Sequence, residues 1–461
     1  MSQENCQCDC RNQERTAQVK EKSSITVKHS FETERLHAGY NPSEHHDSIQ
    51  VPIYQTAAFT MPSAEAGRDI AEGRLPGFTY SRVGNPTVDI LEKRLTALDS
   101  GVGAACVGSG MAAISNALLC AAEGGGRIVT HHDIYGATLD IFVNFLAKFG
   151  IEVDFVDDIN NPDELRNAIK SDTKAIYVES VTNPRTVITD LDLVSSIAHA
   201  AGIPLIVDNT FPTPYLIQPI KYGADIVVYS STKAINGHAN AVSGVIIDGG
   251  TFDWQTHSDR FPQFDEPEFT LYNDQLDHVP SYNEVYGNQA FIQRVKGKYV
   301  RLLGAVLGPQ EAYLEIIGLE TIAERLNKQV ASTRKIVEYL NSNPHVARVN
   351  YSDQPSSFQA DLVEKYYPHG IGSIFSFELE GSEDRVNRVI NACRIFSYVP
   401  NVGDVRSLIV NPARTTHREI PYEFWEKDGL NPQLIRLSIG LENVDDLIAD
   451  LDNAITTAFN D

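Results

Sequence analysis

Between residues 86 and 300, short apolar runs alternate with stretches of helical periodicity, and that alternation limits the fold more than any other feature of the chain. The runs fall at 104–107, 127–130, 152–156, 175–179, 205–208, 226–229 and 242–247. Short, mainly apolar runs bounded by helical stretches predict strands of a sheet covered by helices. Strand and helix in turn build an α/β domain, here a mostly parallel seven-stranded sheet covered by helices. Beyond 300, helical periodicity over 311–340 gives way to short strands at 346–351, 374–378, 408–410 and 435–439, with a last helix at 444–459. Residues 301–461 therefore read as a smaller C-terminal α/β domain, 86–300 as the large one. Residues 29–85 read as an arm of loops and short helices, and 1–28 as a disordered polar tail. A polar, aromatic-rich segment, 251–287, interrupts the large domain and is expected to form loops near the entrance of a site. With 461 residues the chain can bury a sizeable core and divide into two domains.

Open α/β sheets bind their ligands beyond the carboxyl ends of the strands, so the residues found there carry the functional reading. After the run 226–229 comes Ser230-Ser231-Thr232-Lys233. A lysine in that place is costly to bury unpaired and must be neutralised or used, while Ser230 and Thr232 can bond phosphate oxygens. Lysine plus phosphate contacts points to pyridoxal 5'-phosphate held as a Schiff base. The run 205–208 ends in Asp208-Asn209-Thr210, whose carboxylate can pair with a protonated pyridine nitrogen, cap a helix or ligate a metal. Gly108-Ser109-Gly110-Met111 joins a strand to a helix, the form of a phosphate cradle. It lacks the dinucleotide glycine spacing and the nucleotide-binding lysine. Tyr135, after the run 127–130, is placed to stack on an aromatic cofactor. Arg82, beside Tyr80 in a Gly/Pro-punctuated loop, can supply a bidentate phosphate contact.

Charge and cysteine use narrow the alternatives. Lys+Arg 38 against Asp+Glu 61 gives −23, which argues against nucleic acid or an anionic membrane as partner. No apolar run reaches the roughly 18 residues of a membrane span, and the polar start lacks a signal peptide's apolar region, so a cytoplasmic protein is expected. Cys106, Cys120 and Cys393 fall in apolar or helical stretches and read as core thiols. Cys6, Cys8 and Cys10 lack the usual zinc spacing, and the pairs His45-His46 and His131-His132 do not share a helix face, so no metal is expected.

These motifs, with Gly84-Asn85-Pro86-Thr87, Glu179-Ser180 and Asn183-Pro184, resemble the Cys/Met-metabolism γ-subfamily of fold-type I pyridoxal-phosphate enzymes. The resemblance runs from about Phe31 to the C-terminus. It implies that Lys233 bonds the cofactor and shuttles protons, that Asp208 pairs with the pyridine nitrogen and that Tyr135 stacks on the ring. Gly110, Met111, Ser230 and Thr232 would bind phosphate, with Asn183 and Thr210 completing the cofactor site. Tyr80 and Arg82 would reach the phosphate of the neighbouring subunit, which implies a shared active site and a homotetramer of two dimers. Arg436, in Leu434-Ile435-Arg436-Leu437-Ser438, would clamp the carboxylate of an amino-acid substrate, with Asn401 beside it.

Within the family the chain most resembles O-acetylhomoserine sulfhydrylases, through the segment 248–254, Phe261-Pro262-Gln263-Phe264, Asn401-Val402-Gly403-Asp404 and Thr415-Thr416-His417. That implies γ-replacement on an O-acyl homoserine by sulfide or a small thiol. The alternatives are γ-elimination to a 2-oxo acid and ammonia, or synthesis with a carbon or amine nucleophile. The chain departs from the sulfhydrylase pattern at Ala234, Ala239, Asn240, Asn411 and Arg414, changes expected to cluster around the cofactor and the carboxylate clamp and to bear on the nucleophile.

Overall fold

The computed structural model describes residues 29–418, 422–425 and 429–460; the expected tail, with Cys6, Cys8 and Cys10, lies outside them. The large sheet has seven strands: β1 (Gly103–Val107), β2 (Gly126–His131), β3 (Ile151–Val156), β4 (Thr173–Glu179), β5 (Leu205–Asp208), β6 (Ile226–Tyr229) and β7 (Gly244–Asp248). Their order is β1-β7-β6-β5-β4-β2-β3. The pairings from β3 through β6 are parallel, and β7 runs antiparallel to both β6 and β1.

The inner apolar runs lack polar alternation because both faces of the sheet's centre are covered, whereas the edge strand β3 alternates, with Glu152 exposed. Val178, Val207, Val227 and Ile247 point into one core, while Tyr177, Ile206, Ile226 and Ile246 point into another on the opposite face. All eight are essentially inaccessible, and each aliphatic one stabilises the fold by about 1.5–3 kcal/mol relative to exposure. The first core continues without a break into the C-terminal region through Phe375, Phe377 and Ile435.

That region is built on β8 (Val346–Asn350), β9 (Ile374–Leu379), β10 (Ser397–Tyr398), β11 (Leu408–Val410) and β12 (Leu434–Ser438), ordered β10-β11-β12-β9-β8. Its inner strands pair antiparallel, and Arg436 sits in the middle of β12 opposite Ser376 and Val410. Helices Ile322–Ser342, Glu383–Ala392 and Val444–Phe459 contribute Ile336, Val389 and Leu451 to the shared core. Among the described residues, no helix is long and apolar enough to cross a membrane.

Three expectations need correction. The periodicity over 311–340 is two helices, Pro309–Leu319 and Ile322–Ser342. They part where Gly318 presses on the carbonyls of Ile235 and Asn236, leaving no room for a Cβ. Strand β10 was not foreseen, since two exposed residues carry no readable pattern. The segment 251–287 is largely irregular, as expected, but does not border the lysine cavity. Phe252, Trp254, Phe261 and Phe264 are buried instead, Trp254 stacking on Phe291 at 5.3 Å between ring centroids. Burying four aromatic side chains outweighs the polar character of their neighbours.

Candidate active site

The sheet topology brings five loops to one edge. The carboxyl ends of β1, β2, β4, β5 and β6 meet there, and because β7 runs the other way its amino end, Gly244, meets them too. A cavity of about 280 Å³ opens at this edge, bordered on the far side by the C-terminal sheet. Ser109, Gly110, Met111, Tyr135, Glu179, Asn183, Asp208, Thr210, Ser230, Thr232, Lys233, Asn401, Thr416 and Arg436 all line it.

The phosphate cradle forms where helix Gly110–Ala121 starts. Ser109 caps it, its Oγ accepting from Ala112 N at 3.1 Å, which leaves the N–H groups of Gly110 and Met111 without intrahelical partners. Glycine is required here by close approach: a Cβ on Gly110 would lie 2.5 Å from Ser230 Cβ, and one on Gly244 would collide with Ser109 O. Ser230 N donates to Thr210 Oγ1 at 2.9 Å, locking the lysine loop to the end of β5. The Thr232 hydroxyl is turned to Ser243, donating to its carbonyl at 3.0 Å and accepting from its N–H at 2.8 Å. Free helix N–H groups, the helix dipole and the Ser230 hydroxyl suit a phosphate dianion.

Lys233 leaves this loop half-buried, its Nζ donating to Asn401 Oδ1 at 2.6 Å. Burial, and then the nearby Arg436 charge, pull its pKa down to about 8. Asp208 is buried at the end of β5. Its Oδ1 accepts from Thr210 N at 2.9 Å and Thr210 Oγ1 at 2.5 Å, and its Oδ2 accepts from Tyr177 OH at 3.3 Å. Burial raises its pKa and the Thr210 contacts oppose the rise; a cationic ring nitrogen at Oδ2 would keep it ionised. Tyr135 stands at the start of a short helix, 37% exposed, on the cavity wall. Pyridoxal phosphate fits this set: an anion cradle, a lysine of lowered pKa and a buried carboxylate lie around one cavity.

Arg436 reaches the cavity from β12 and is only 3% exposed. Its Nη1 donates to Asn183 Oδ1 at 3.1 Å and lies 3.5 Å from Thr416 Oγ1; its Nη2 lies 3.4 Å from Asn401 O. Among the described residues no carboxylate pairs with it, and burial pushes its pKa down to about 10. A buried guanidinium with only neutral partners is prepared for an anion.

The expected residues do not all converge. Tyr80 and Arg82 lie away from this cavity: Arg82 packs over the Tyr80 ring at 5.6 Å, its Nη1 donating to Arg301 O, and Tyr80 is 46% exposed. Nor do the departures at Asn411 and Arg414 border the cavity. Asn411 is buried and bonds Pro432 O, while Arg414 points outward into a two-bond pair with Glu383 at 2.7 Å. Ala234 packs beside Gly403, and Ala239 and Asn240 line an adjoining groove. Ala239 adopts a φ of +53°, a left-handed conformation that costs a residue with a Cβ about 1–2 kcal/mol.

Glu179 and Thr416 also line the cavity, although the motifs that contain them gave them no role. Thr416 Oγ1 meets His417 Nδ1 at 2.8 Å, and His417 Nε2 meets Asn183 O at 3.1 Å. Burial, with Arg436 nearby, pushes the His417 pKa down to about 3, so the ring is neutral, donating from Nε2 to Asn183 O and accepting at Nδ1.

Comparison with known proteins places the chain in a family. The family model for Cys/Met metabolism PLP-dependent enzymes matches residues 32–456. A homocysteine synthase of Schizosaccharomyces pombe is 38% identical over 93% of this chain and 98% of its own length. An O-acetyl-L-homoserine sulfhydrylase of Thermus thermophilus is 38% identical over 92% and 99%. An O-acetylhomoserine (thiol)-lyase structure from Campylobacter jejuni, which carries N'-pyridoxyl-lysine-5'-monophosphate, superposes with a TM-score of 0.88 at 36% identity, covering 93% of this chain and 100% of that one. A cystathionine gamma synthase structure from Xanthomonas oryzae, in complex with aminoacrylate and cysteine, gives a TM-score of 0.80 at 28% identity over 94% and 99%. Matched nearly end to end in sequence and in fold, the chain belongs to the pyridoxal-phosphate-dependent enzymes of Cys/Met metabolism.

Proposed function

We propose that the protein catalyses γ-replacement on O-acetyl-L-homoserine, or a related O-acyl homoserine, with sulfide or a small thiol, releasing homocysteine or a thioether. The observation that carries this reading is the pairing, across one cavity, of a lysine near neutrality with a buried arginine that lacks a carboxylate partner. The relatives named as sulfhydrylases and homocysteine synthase support the choice of substrate.

When bound, pyridoxal phosphate supplies an electron sink for the charge left at Cα. Asp208 holds the proton on the cofactor's ring nitrogen, which keeps that sink effective. Tyr135 would stack on the ring, and Gly110, Met111, Ser230 and Thr232 would hold the phosphate. Asn183 and Thr210 orient Arg436 and Asp208, the groups they bond. Arg436 takes the substrate carboxylate, and Asn401 holds the Lys233 amine when it is not otherwise engaged. Lys233 Nζ would take the α-proton, hand it on to the bound cofactor and, unprotonated again, take a proton from Cβ as acetate departs from Cγ; the nucleophile would add at Cγ and the protons return by the same route. A pKa of about 8 lets one amine serve as both acceptor and donor near neutral pH.

Tyr80 and Arg82 act on the phosphate of a partner subunit, so the working unit is a dimer and the assembly a homotetramer of two dimers in the cytoplasm. The chain divides into an arm at 29–85, a cofactor domain at 86–300 and a C-terminal domain at 301–461 that carries the carboxylate clamp. Incubating the purified enzyme with O-acetylhomoserine, with and without sulfide, tests the activity. Homocysteine formed only with sulfide is expected; ammonia and a 2-oxo acid as main products in both would establish elimination instead.

A further inference from the structure

Glu179 is 5% exposed at the end of β4 and lines the cavity, yet none of the roles above uses it. It lies in register with Asp208 on β5, so two carboxylates end side by side where water is largely excluded. Burial first, and the Asp208 charge second, push its pKa well above the ordinary carboxylate range. An acid in that place is costly unless its oxygens are occupied, and both are. Oε1 accepts from Tyr135 N at 2.6 Å, and Oε2 accepts from Asn183 N at 3.1 Å.

The two donors belong to different loops, one following β2 and the other following β4. Each carries a different part of the site. Tyr135 is the ring-stacking residue, and Asn183 Oδ1 accepts from Arg436 Nη1. A single carboxyl group therefore ties the backbone beneath the cofactor ring to the backbone that aims the guanidinium.

We propose that Glu179 is a positioning residue that fixes the distance between the cofactor-stacking Tyr135 and the carboxylate clamp Arg436, acting through the N–H groups of Tyr135 and Asn183. The inference rests on the roles assigned to those two residues above. Glutamine at this position keeps one acceptor oxygen but turns an NH2 toward a backbone N–H, so one of the two ties is lost.

Steady-state kinetics, and titration of the apoprotein with pyridoxal phosphate followed by visible circular dichroism, test it. Glu179→Gln is expected to raise KM for O-acetylhomoserine or Kd for the cofactor about three- to tenfold, the worth of one ordinary hydrogen bond. Unfolding temperature should change little. In an Arg436→Ala background, Glu179→Gln should leave KM where Arg436→Ala put it, because no guanidinium remains to be aimed. Glu179→Asp, which keeps both oxygens on a shorter arm, should fall between wild type and Glu179→Gln, and it carries the test if the glutamine variant does not fold. Unchanged KM and Kd in the folded variants, or KM effects that multiply independently in the double variant, would overturn the proposal. An unchanged KM in Arg436→Ala alone would count against the clamp reading, not against the tie.

Discussion

Replacing Arg436 by alanine removes the buried guanidinium that the cavity offers to a substrate carboxylate. The guanidinium is 3% exposed, has neutral partners at 3.1–3.5 Å, and keeps donors free for an incoming anion. Deleting one half of a buried, hydrogen-bonded charge pair costs about 3–5 kcal/mol, or roughly two to four orders of magnitude in kcat/KM. Because the pair exists in the bound ground state as well as in the transition state, most of the loss should appear in KM. Stability should move the other way. Burial holds the guanidinium pKa near 10, so the free enzyme carries an uncompensated charge, and Arg436→Ala should unfold at or above the wild-type temperature. Arg436→Lys should be intermediate, keeping the charge but not the fork. Initial rates over a range of O-acetylhomoserine concentrations, together with a thermal melt, decide it. A loss confined to kcat with KM unchanged, or a melt many degrees below wild type, would show that Arg436 is structural and the clamp reading wrong.

Other expectations follow from the same geometry. Asp208→Asn should retain cofactor through the cradle and Lys233 but lose roughly 10²–10³-fold in kcat, as loss of one electrostatic stabiliser does; near-normal turnover would make the aspartate structural. In the apoprotein, labelling of Lys233 by a small amine-directed reagent should reach half its limiting rate near pH 8 instead of near 10.5, and at a higher pH in Arg436→Ala, since the arginine charge is one cause of the depression. Asp99 is buried and accepts from Tyr229 OH at 2.6 Å, with burial raising its pKa to about 7. Its folded pKa lies above its unfolded one, so its contribution is complete below about pH 4 and is lost as pH rises through 7. Melts from pH 4 to 8 should fall more steeply for wild type than for Asp99→Asn; parallel curves would refute the assignment. Finally, Arg82→Ala and Lys233→Ala proteins should each be poorly active alone and recover activity after subunit exchange, because one site of each mixed dimer carries both native residues. No recovery, with exchange verified by mass, would place both residues in one subunit.

The large sheet was readable because strands buried on both faces must be apolar throughout, and the boundaries foreseen at 205–208 and 226–229 are those of β5 and β6. Lys233, Asp208 and Gly110 were readable because each stands at a strand end, where such sheets place their ligands. Other features depend on contacts distant in sequence. That the partners of Arg436 are neutral depends on Asn183, Asn401 and Thr416, which come from three separate loops. The role of Glu179 needs the loops after β2 and β4 to meet. The aromatic residues of 252–264 have polar neighbours, and only the tertiary packing shows that they are core. Tyr80 and Arg82 are marked in the sequence, but a single chain leaves them outside the cavity.

In the proposed mechanism Lys233 moves protons at both Cα and Cβ before the nucleophile adds at Cγ. Running the reaction with sulfide in deuterium oxide and analysing the homocysteine by NMR and mass spectrometry tests this most directly. Deuterium at both Cα and Cβ, abolished along with turnover in Lys233→Ala, is the predicted result. Homocysteine formed at the full rate with no deuterium at Cβ would mean direct displacement of acetate at Cγ, and would contradict the account.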